Sequence, residues 1–500
     1  MVAPPRLGIR VEDRSRQCGD SHGSRRIRVA ERGRVMLPAL TLTLPQAMHT
    51  QLHRHLFCGD GRESAAIVLC SRVPRPRRRL LAKHVILVPN AACKRRASDQ
   101  ITWPGEYLEQ AIDLAESGEL TMILIHSHPG NQLDFSPVDD LSDRMVLPSL
   151  FQAVDTFHGT AIMVPDGTVR ARLYDKSMER ETVDLVSVAG DDLRYWWGDA
   201  PRNGTRARPI AFTSAMTDEL HRLTAVVIGV SGTGSPVAEQ LGRLGFGRII
   251  LIDPDRVEKR NLNRILNSTL QDVGDEIFKV NMFAAAIARY READVAYPVP
   301  ASLSTREAVL AASQADVIFC CTDTVEARYL ADLICGTFLI PLFDVGVVIP
   351  TKQIDGRAQI IEAYGRVDYV QPGGASLLDR GVYTPASLEA EYLKGAAPGA
   401  LRDRIDAGYL PGANEEAPAV ISLNMRAASI CLSEFINRAY PFGEPNCGYA
   451  RVSFTVGARE QDYDSEDSFH KKATMPIAQG DAEPLLGLPS LKAPRVRKPK

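Results

Sequence analysis

A short apolar strand, a glycine turn and a helix in immediate succession leave a chain few folds to choose from. Ala225 to Ile228 is an apolar, β-branched run with the pattern of a buried parallel strand. Gly229, Gly232 and Gly234 follow, a turn in which backbone can approach a ligand closely because no Cβ intervenes. Pro236 to Leu244 reads as the helix whose first N–H groups would receive phosphate. A second apolar run, Arg248 to Ile252, ends at Asp253, where a strand-end carboxylate would meet a ribose hydroxyl. A tight turn without any ligand would use the same glycines, and so would a nicotinamide dehydrogenase.

The residues that follow separate these alternatives. Asp253-Pro254-Asp255, Val257-Glu258 and Asn261-Leu262-Asn263-Arg264 come first, then Lys279, Cys321-Thr322-Asp323-Thr324 and Arg328. In this order and spacing, over roughly residues 208–440, the chain resembles the ThiF/MoeB/E1 family, which adenylates the C-terminus of ubiquitin-like proteins. The resemblance implies that Gly229, Gly232 and Gly234 cradle phosphate and Asp253 holds the ribose. It implies that Asn261, Arg264 and Lys279 contact the phosphates, with Arg264 and Lys279 acting in the reaction, and that Asp323 binds Mg²⁺. Arg208, a better match than Arg206, would reach the ATP of a partner subunit across a homodimer; a solvated basic loop is the alternative. Adenylation develops negative charge, so cations and N–H donors matter more than a nucleophile.

Two departures stand out. Ser231 occupies a position where relatives carry a third glycine, and an altered turn is expected because serine disfavours positive φ. Relatives commonly have Cys-x-x-Cys in a Pro-Gly-rich loop, where this chain has Ser376 and Asp379, so no zinc is expected there. Cys320, Cys321, Cys335 and Cys431 read as packing thiols. That leaves Cys447 as the candidate thioester acceptor, unless an E2-like or other thiol protein receives the product directly.

A second chemical stretch lies upstream. Pro45 to Phe57 reads as a helix, Ser64 to Ser71 and Leu81 to Val88 as strands, Tyr107 to Ser117 as a helix and Thr121 to Ile125 as a strand. That last strand delivers His126-Ser127-His128-Pro129, followed by Ser136-Pro137-Val138-Asp139. Histidines at i and i+2 share a strand face, and Ser136 with Pro137 opens a helix carrying Asp139. The three side chains can be ligands of a tetrahedral zinc ion, or Ser136 and Asp139 can simply form a capping box. HxHPx(6)SxxD resembles the JAMM (JAB/MPN) metallopeptidases, many of which cleave peptide or isopeptide bonds after ubiquitin-like proteins. The resemblance makes His126, His128 and Asp139 the zinc ligands. It makes Glu63 the group that takes a proton from water and passes it to the leaving amine, and Ser136 a donor to the oxyanion. For Glu63 the competing expectation is an exposed loop carboxylate.

The fold class expected is α/β: a JAB/MPN α+β domain, then a Rossmann-like ThiF/E1 adenylation domain with a mostly parallel sheet. The boundaries expected are 36–175 and 206–456, joined by a connector at 176–205 with one helical piece. Trp196 and Trp197 would act as packing anchors between the domains. Arginine-rich residues 1–35 read as a disordered extension, or as a mis-assigned start before Met36. Residues 457–500 read as a tail with an apolar patch at Gly480 to Pro489 that has no assigned role.

A net charge of −2 offers no electrostatic case for nucleic acid. No apolar run approaches the roughly 20 residues of a membrane span. Nine cysteines without CxxC pairs suit a reducing, cytoplasmic setting. The reading is a bifunctional enzyme using Zn²⁺, ATP and Mg²⁺ on a ubiquitin-like protein. The alternatives are activation of a sulfur-carrier protein for cofactor synthesis, and a peptidase carrying an inactive nucleotide-binding scaffold.

Overall fold

The computed structural model describes residues 37–201, 207–354, 357–396, 420–442, 449–472 and 474–494. Residues 1–35, Arg206 and Cys447, each given a reading above, lie outside them.

The first half is built on a nine-stranded mixed sheet. Its order is Arg194–Trp197, Leu185–Ala189, Leu40–Pro45, Arg78–Leu87, Ala65–Arg72, Thr121–Ser127, His158–Met163, Val169–Tyr174 and Arg180–Thr182. Both faces are covered, so central strands such as Ala65–Arg72 read as continuous apolar runs rather than alternating ones. Helix Gln46–Leu56 lays Met48, Leu52 and Leu56 on one face. On the other, helix Glu106–Gly118 approaches through the small residues Ala111 and Ala115, beside helix Pro137–Ala153 with Leu147, Leu150 and Phe151.

Residues 176–205 differ from the expected connector with a helical piece. Within the described part, Arg180–Thr182, Leu185–Ala189 and Arg194–Trp197 are strands of this sheet. Leu185–Ala189 pairs in parallel with Leu40–Pro45, and Arg194–Trp197 returns antiparallel to it. Adjacent tryptophans therefore point to opposite faces. The Trp196 ring lies 5.4 Å from that of His49 in the first half, while Trp197 belongs to the core of the second, with Arg222 stacked 3.9 Å over it.

The second half holds an eight-stranded sheet in the order Ala296–Val299, Arg248–Ile252, Thr224–Ile228, Val317–Cys320, Leu342–Val348, Tyr364–Val370, Tyr449–Thr455 and Gln461–Ser465. The first five strands are mutually parallel and the last three are added antiparallel. Strand order reverses between Thr224–Ile228 and Val317–Cys320, and the carboxyl ends of strands at such a switch point open onto a crevice. Helix Ile421–Ala439 packs on this sheet and on helix Gly234–Leu244.

The described residues form one compact unit, and its seam is well defined. Arg77 is buried against Asp316 at 2.9 Å and bonds the Gln314 carbonyl at 3.0 Å. Arg79, also buried, donates to Ser313 O at 2.6 Å. Residues 475–491, expected as part of a tail, lie along this seam. The Ser71 hydroxyl donates to Ala478 O at 2.7 Å and Asp481 N donates to Arg72 O at 2.8 Å, both on the first half. Ala478 N and Gly480 N donate to Gly336 O and Thr337 O on the second. Ala478, Leu485, Leu486 and Leu491 share a buried cluster with Val73 and Leu81 from one half and Leu330 to Leu342 from the other. The apolar patch of the tail is an interdomain strap.

Candidate active sites

In the first half, His126 is the penultimate residue of strand Thr121–Ser127, flanked by Ala65 and Ile162. It shares parity with Met122 and Leu124, which face helix Pro137–Ala153. His128 lies just past the strand, its N–H bonded to Met163 O at 2.8 Å. Its Nδ1 lies 2.8 Å from Gln132 O, which makes that nitrogen the N–H and leaves Nε2 with a free lone pair. Burial pushes the His128 ring below its ordinary value, so it stays neutral near pH 7.

Ser136 caps helix Pro137–Ala153, its Oγ accepting from Asp139 N at 3.2 Å, while Asp139 Oδ2 accepts from Ser136 N at 2.6 Å. The capping box and the ligand geometry coexist, because Asp139 Oδ1 remains 3.2 Å from His126 Nε2. Burial works against ionisation of Asp139, but the bond and charge of His126 and the Ser136 N–H hold it well below the usual carboxylate range.

The two His Nε2 atoms are 3.0 Å apart, and His128 Nε2 lies 3.7 Å from Asp139 Oδ2. Zinc–ligand bonds of about 2.0–2.1 Å imply tetrahedral edges of about 3.3 Å. The two Nε2 atoms are 3.0 Å apart and the Asp139 carboxylate reaches them through different oxygens, Oδ1 to His126 at 3.2 Å and Oδ2 to His128 at 3.7 Å, so the three side chains converge at about that spacing. Glu63 has a carboxylate oxygen within 4.8 Å of a ring nitrogen of each histidine, close enough to belong to the same cluster. It is 5% exposed, not an exposed loop carboxylate, because Arg96 clamps its carbonyl at 2.8 Å and Ala97 O accepts its N–H at 2.7 Å. Burial pushes its carboxyl up to about 7; His126 opposes this and Asp139 adds to it.

A support that sequence reading missed lies beneath. Arg172 pairs with Asp143 at 2.6 Å and Asp140 at 2.5 Å, and stacks 3.7 Å over Phe135. Asp143 falls one helical turn after Asp139, the spacing that could have pointed to it.

In the second half a crevice of about 960 Å³ opens at the switch point. Gly229, Gly232, Asp253, Asn261, Arg264 and Lys279 line it, with Asp323 and Arg328 on the neighbouring strand's side. Gly234 sits behind this lining: a Cβ there would lie 1.7 Å from Gly229 O, so glycine is what lets the helix start against the turn. Gly229 has φ +84 and is the position in this turn that needs the left-handed region. Ser231 is not among the positive-φ residues, so the expected distortion does not arise.

Asp253 accepts from Val230 N at 2.8 Å and Asp255 N at 2.9 Å. Burial raises its pKa, opposed by Lys279. Lys279, which opens helix Lys279–Ile287, bonds Asp255 at 2.7 Å. Asn261 is buried and accepts from Glu258 N at 3.0 Å. Arg264 bonds the neutral oxygens of Arg260 and Asn263 at 2.8 and 3.1 Å, and among the described residues no carboxylate compensates its charge.

Arg208 stands apart, in a bidentate pair with Asp192 at 2.5 and 2.6 Å within its own chain. Asp192 comes from the segment read as connector, so this partner was not foreseen. The thiols of Cys320, Cys321, Cys335 and Cys431 are buried and pushed far up by that burial. Ser376 and Asp379 bond each other, Oγ to Oδ2, at 2.7 Å.

Comparison with known proteins agrees with this division. Residues 45–173 match the family described as prokaryotic homologs of the JAB domain, and residues 206–380 match the ThiF family. The adenylyltransferase and sulfurtransferase MOCS3 of Danio rerio is 33% identical over 123 residues, covering 25% of this chain and 26% of the relative. The tRNA threonylcarbamoyladenosine dehydratase of Bacillus subtilis is 45% identical over 71 residues, 14% of this chain and 27% of the relative. The SAMP-activating enzyme E1 of Haloferax volcanii is 32% identical over 118 residues, 23% of this chain and 43% of the relative. The chain thus spans between a quarter and a half of the length of these relatives. A crystal structure of E. coli MccB with ATP aligns at TM-score 0.37 and 17% identity, covering 50% of this chain and 66% of that one. The chain joins a domain of the prokaryotic JAB kind, at residues 45–173, to a domain of the ThiF family, at residues 206–380.

Proposed function

We propose that the chain acts twice on one ubiquitin-like protein. The first half cuts the peptide or isopeptide bond that follows its C-terminal residue, and the second adenylates the carboxylate so exposed. The observation that carries this reading is the convergence of Asp253, Asn261, Arg264, Lys279 and Asp323 on one crevice around the glycine turn. Relatives named as adenylyltransferases and as a SAMP-activating enzyme support it.

In the first site His126, His128 and Asp139 would hold zinc, which when bound supplies a Lewis acid for the scissile carbonyl. Glu63, with its carboxyl near 7, can take a proton from water and return it to the leaving amine at neutral pH. The Ser136 oxygen accepts from Asp139 N, so its own O–H is left to donate to the carbonyl oxygen as that oxygen gains charge.

In the second site the carrier carboxylate attacks the α-phosphorus of ATP and pyrophosphate leaves. The N–H groups of the turn, with Arg264, balance the charge that develops, and Asp323 would hold Mg²⁺ together with phosphate oxygens. The one described cysteine lining this crevice, Cys321, is buried, so the acceptor of the acyl-adenylate is either Cys447, outside the described residues, or a thiol or amine on another protein.

ATP–pyrophosphate exchange with a ubiquitin-like protein, in wild type and Asp323→Ala, tests the second step. Cleavage of the same protein carrying a C-terminal extension, in wild type and Glu63→Gln, tests the first. No exchange with any carrier, or exchange that survives Asp323→Ala, overturns the adenylation reading. Cleavage that survives Glu63→Gln overturns the peptidase reading.

A further inference from the structure

Helix Val325–Phe338 begins two residues after Asp323, at the edge of the nucleotide crevice. Thr324, at its N-cap, makes no capping bond and turns to Thr322, with the hydroxyls 3.0 Å apart. The helix's first N–H groups are taken instead by Glu391. Its Oε1 accepts from Val325 at 3.1 Å and its Oε2 from Glu326 at 2.7 Å.

Glu391 belongs to helix Pro385–Ala396, which packs against Val325–Phe338 and is otherwise largely open to solvent; Tyr392 beside it is 72% exposed. One turn beyond Glu391, Lys394 lines the crevice. The other cations there are partly spoken for. Lys279 is neutralised by Asp255 at 2.7 Å, Arg328 by the buried Asp344 at 3.2 Å, and Arg260 by Glu258 at 2.5 Å. Lys394 is exposed and makes no ion pair among the described residues, which leaves it, with Arg264, as uncompensated positive charge facing the crevice. Two elements that have no part in the glycine turn thus place a cation over the crevice, with Glu391 fastening its helix to the neighbouring one.

We infer that helix Pro385–Ala396 is a lid that delivers Lys394 to the phosphates of a nucleotide in the crevice, with Glu391 as the latch holding the lid to helix Val325–Phe338. The inference rests on the adenylation reading and adds to it a binding residue and the means of placing it. Lys394 contacts the nucleotide; Glu391 acts through Lys394 and is a positioning residue.

The test is calorimetric binding of α,β-methylene-ATP and of adenosine to the full-length protein. Lys394→Met is expected to weaken the nucleotide about five- to tenfold, the loss of one charge-assisted phosphate contact, and to leave adenosine unchanged. Lys394→Arg should retain affinity. Glu391→Ala should weaken the nucleotide to a similar extent, and the double variant should bind no more weakly than Lys394→Met alone, since the two act in series. An affinity within twofold of wild type for Lys394→Met overturns the inference. So does an equal loss for adenosine, or two effects that multiply. A wild-type protein that binds adenosine and nucleotide equally, or neither, removes the adenylation reading itself, which separates that failure from this one.

Discussion

Arg172→Met tests how helix Pro137–Ala153, which carries Asp139, is kept in register. Arg172 is 3% exposed and holds Asp143, itself 6% exposed, at 2.6 Å. It also donates to Thr160 at 3.1 Å and stacks on Phe135, the residue before the Ser136 cap. Methionine keeps much of the volume but leaves Asp143 buried without a cation, a change that costs about 3–5 kcal/mol. The bond to the more exposed Asp140 adds at most about 1 kcal/mol. A loss of about 4 kcal/mol follows, read by urea titration of the fluorescence of Trp103, which packs in the same core.

The pH dependence carries a sign. Burial already raises the Asp143 carboxyl, and Arg172 opposes the rise. Without Arg172 the folded-state value climbs further above the unfolded value of about 3.9. An acid with a raised pKa binds its proton more tightly in the native state, so stability is lost as pH rises through that window and regained as it falls. The penalty measured at pH 7.5 should therefore exceed that at pH 5. Asp143→Asn in the Arg172→Met background should recover at least half of it. A loss below about 1 kcal/mol, or no recovery from Asp143→Asn, would refute the assignment of a buried uncompensated charge.

Two further outcomes are expected. Gly234→Ala places a Cβ 1.7 Å from Gly229 O, so the turn must open and ATP binding should weaken by about tenfold or more, while the peptidase activity proposed for the first half should be untouched. Leu485→Ala, at a fully buried strap position, should cost about 2–5 kcal/mol and make the seam near Arg72 a site of limited proteolysis; an unchanged digestion pattern would count against the strap.

What could be read from the sequence was what local chemistry determines. The strand, turn and helix from Ala225 to Leu244 announce themselves because glycine spacing and apolar runs act within a few residues. His126, His128 and Asp139 were legible for the same reason, as was the Ser136 cap. The short strands between 180 and 197 were not. Arg180–Thr182 is wholly exposed, and Leu185–Ala189 finds its partner in Leu40–Pro45, some 145 residues earlier. Burial of Glu63 depends on Arg96 across a small hairpin, a contact without a sequence period. The Arg208–Asp192 pair was not legible because the segment carrying Asp192 is part of the first half's sheet edge, not a linker. Lys394 and Glu391 lie where the resemblance to known motifs gives no guidance, and geometry alone brings Lys394 to the crevice and Glu391 to the start of helix Val325–Phe338.

The strap has a consequence for how the molecule is assembled. Residues 475–491 leave the ribosome after every residue they touch, from Ser71 to Leu342. Both halves can collapse around their own sheets before then, but Val73 and Leu81 on one side and Leu330 to Leu342 on the other wait for their shared cover. Covering of this apolar part of the seam is thus a late event in the life of each molecule. A nascent chain interrupted ahead of Met475 would carry both sets of site residues on a body joined through Arg77 and Arg79 but lacking its apolar cover, offering that edge to chaperones or to proteases.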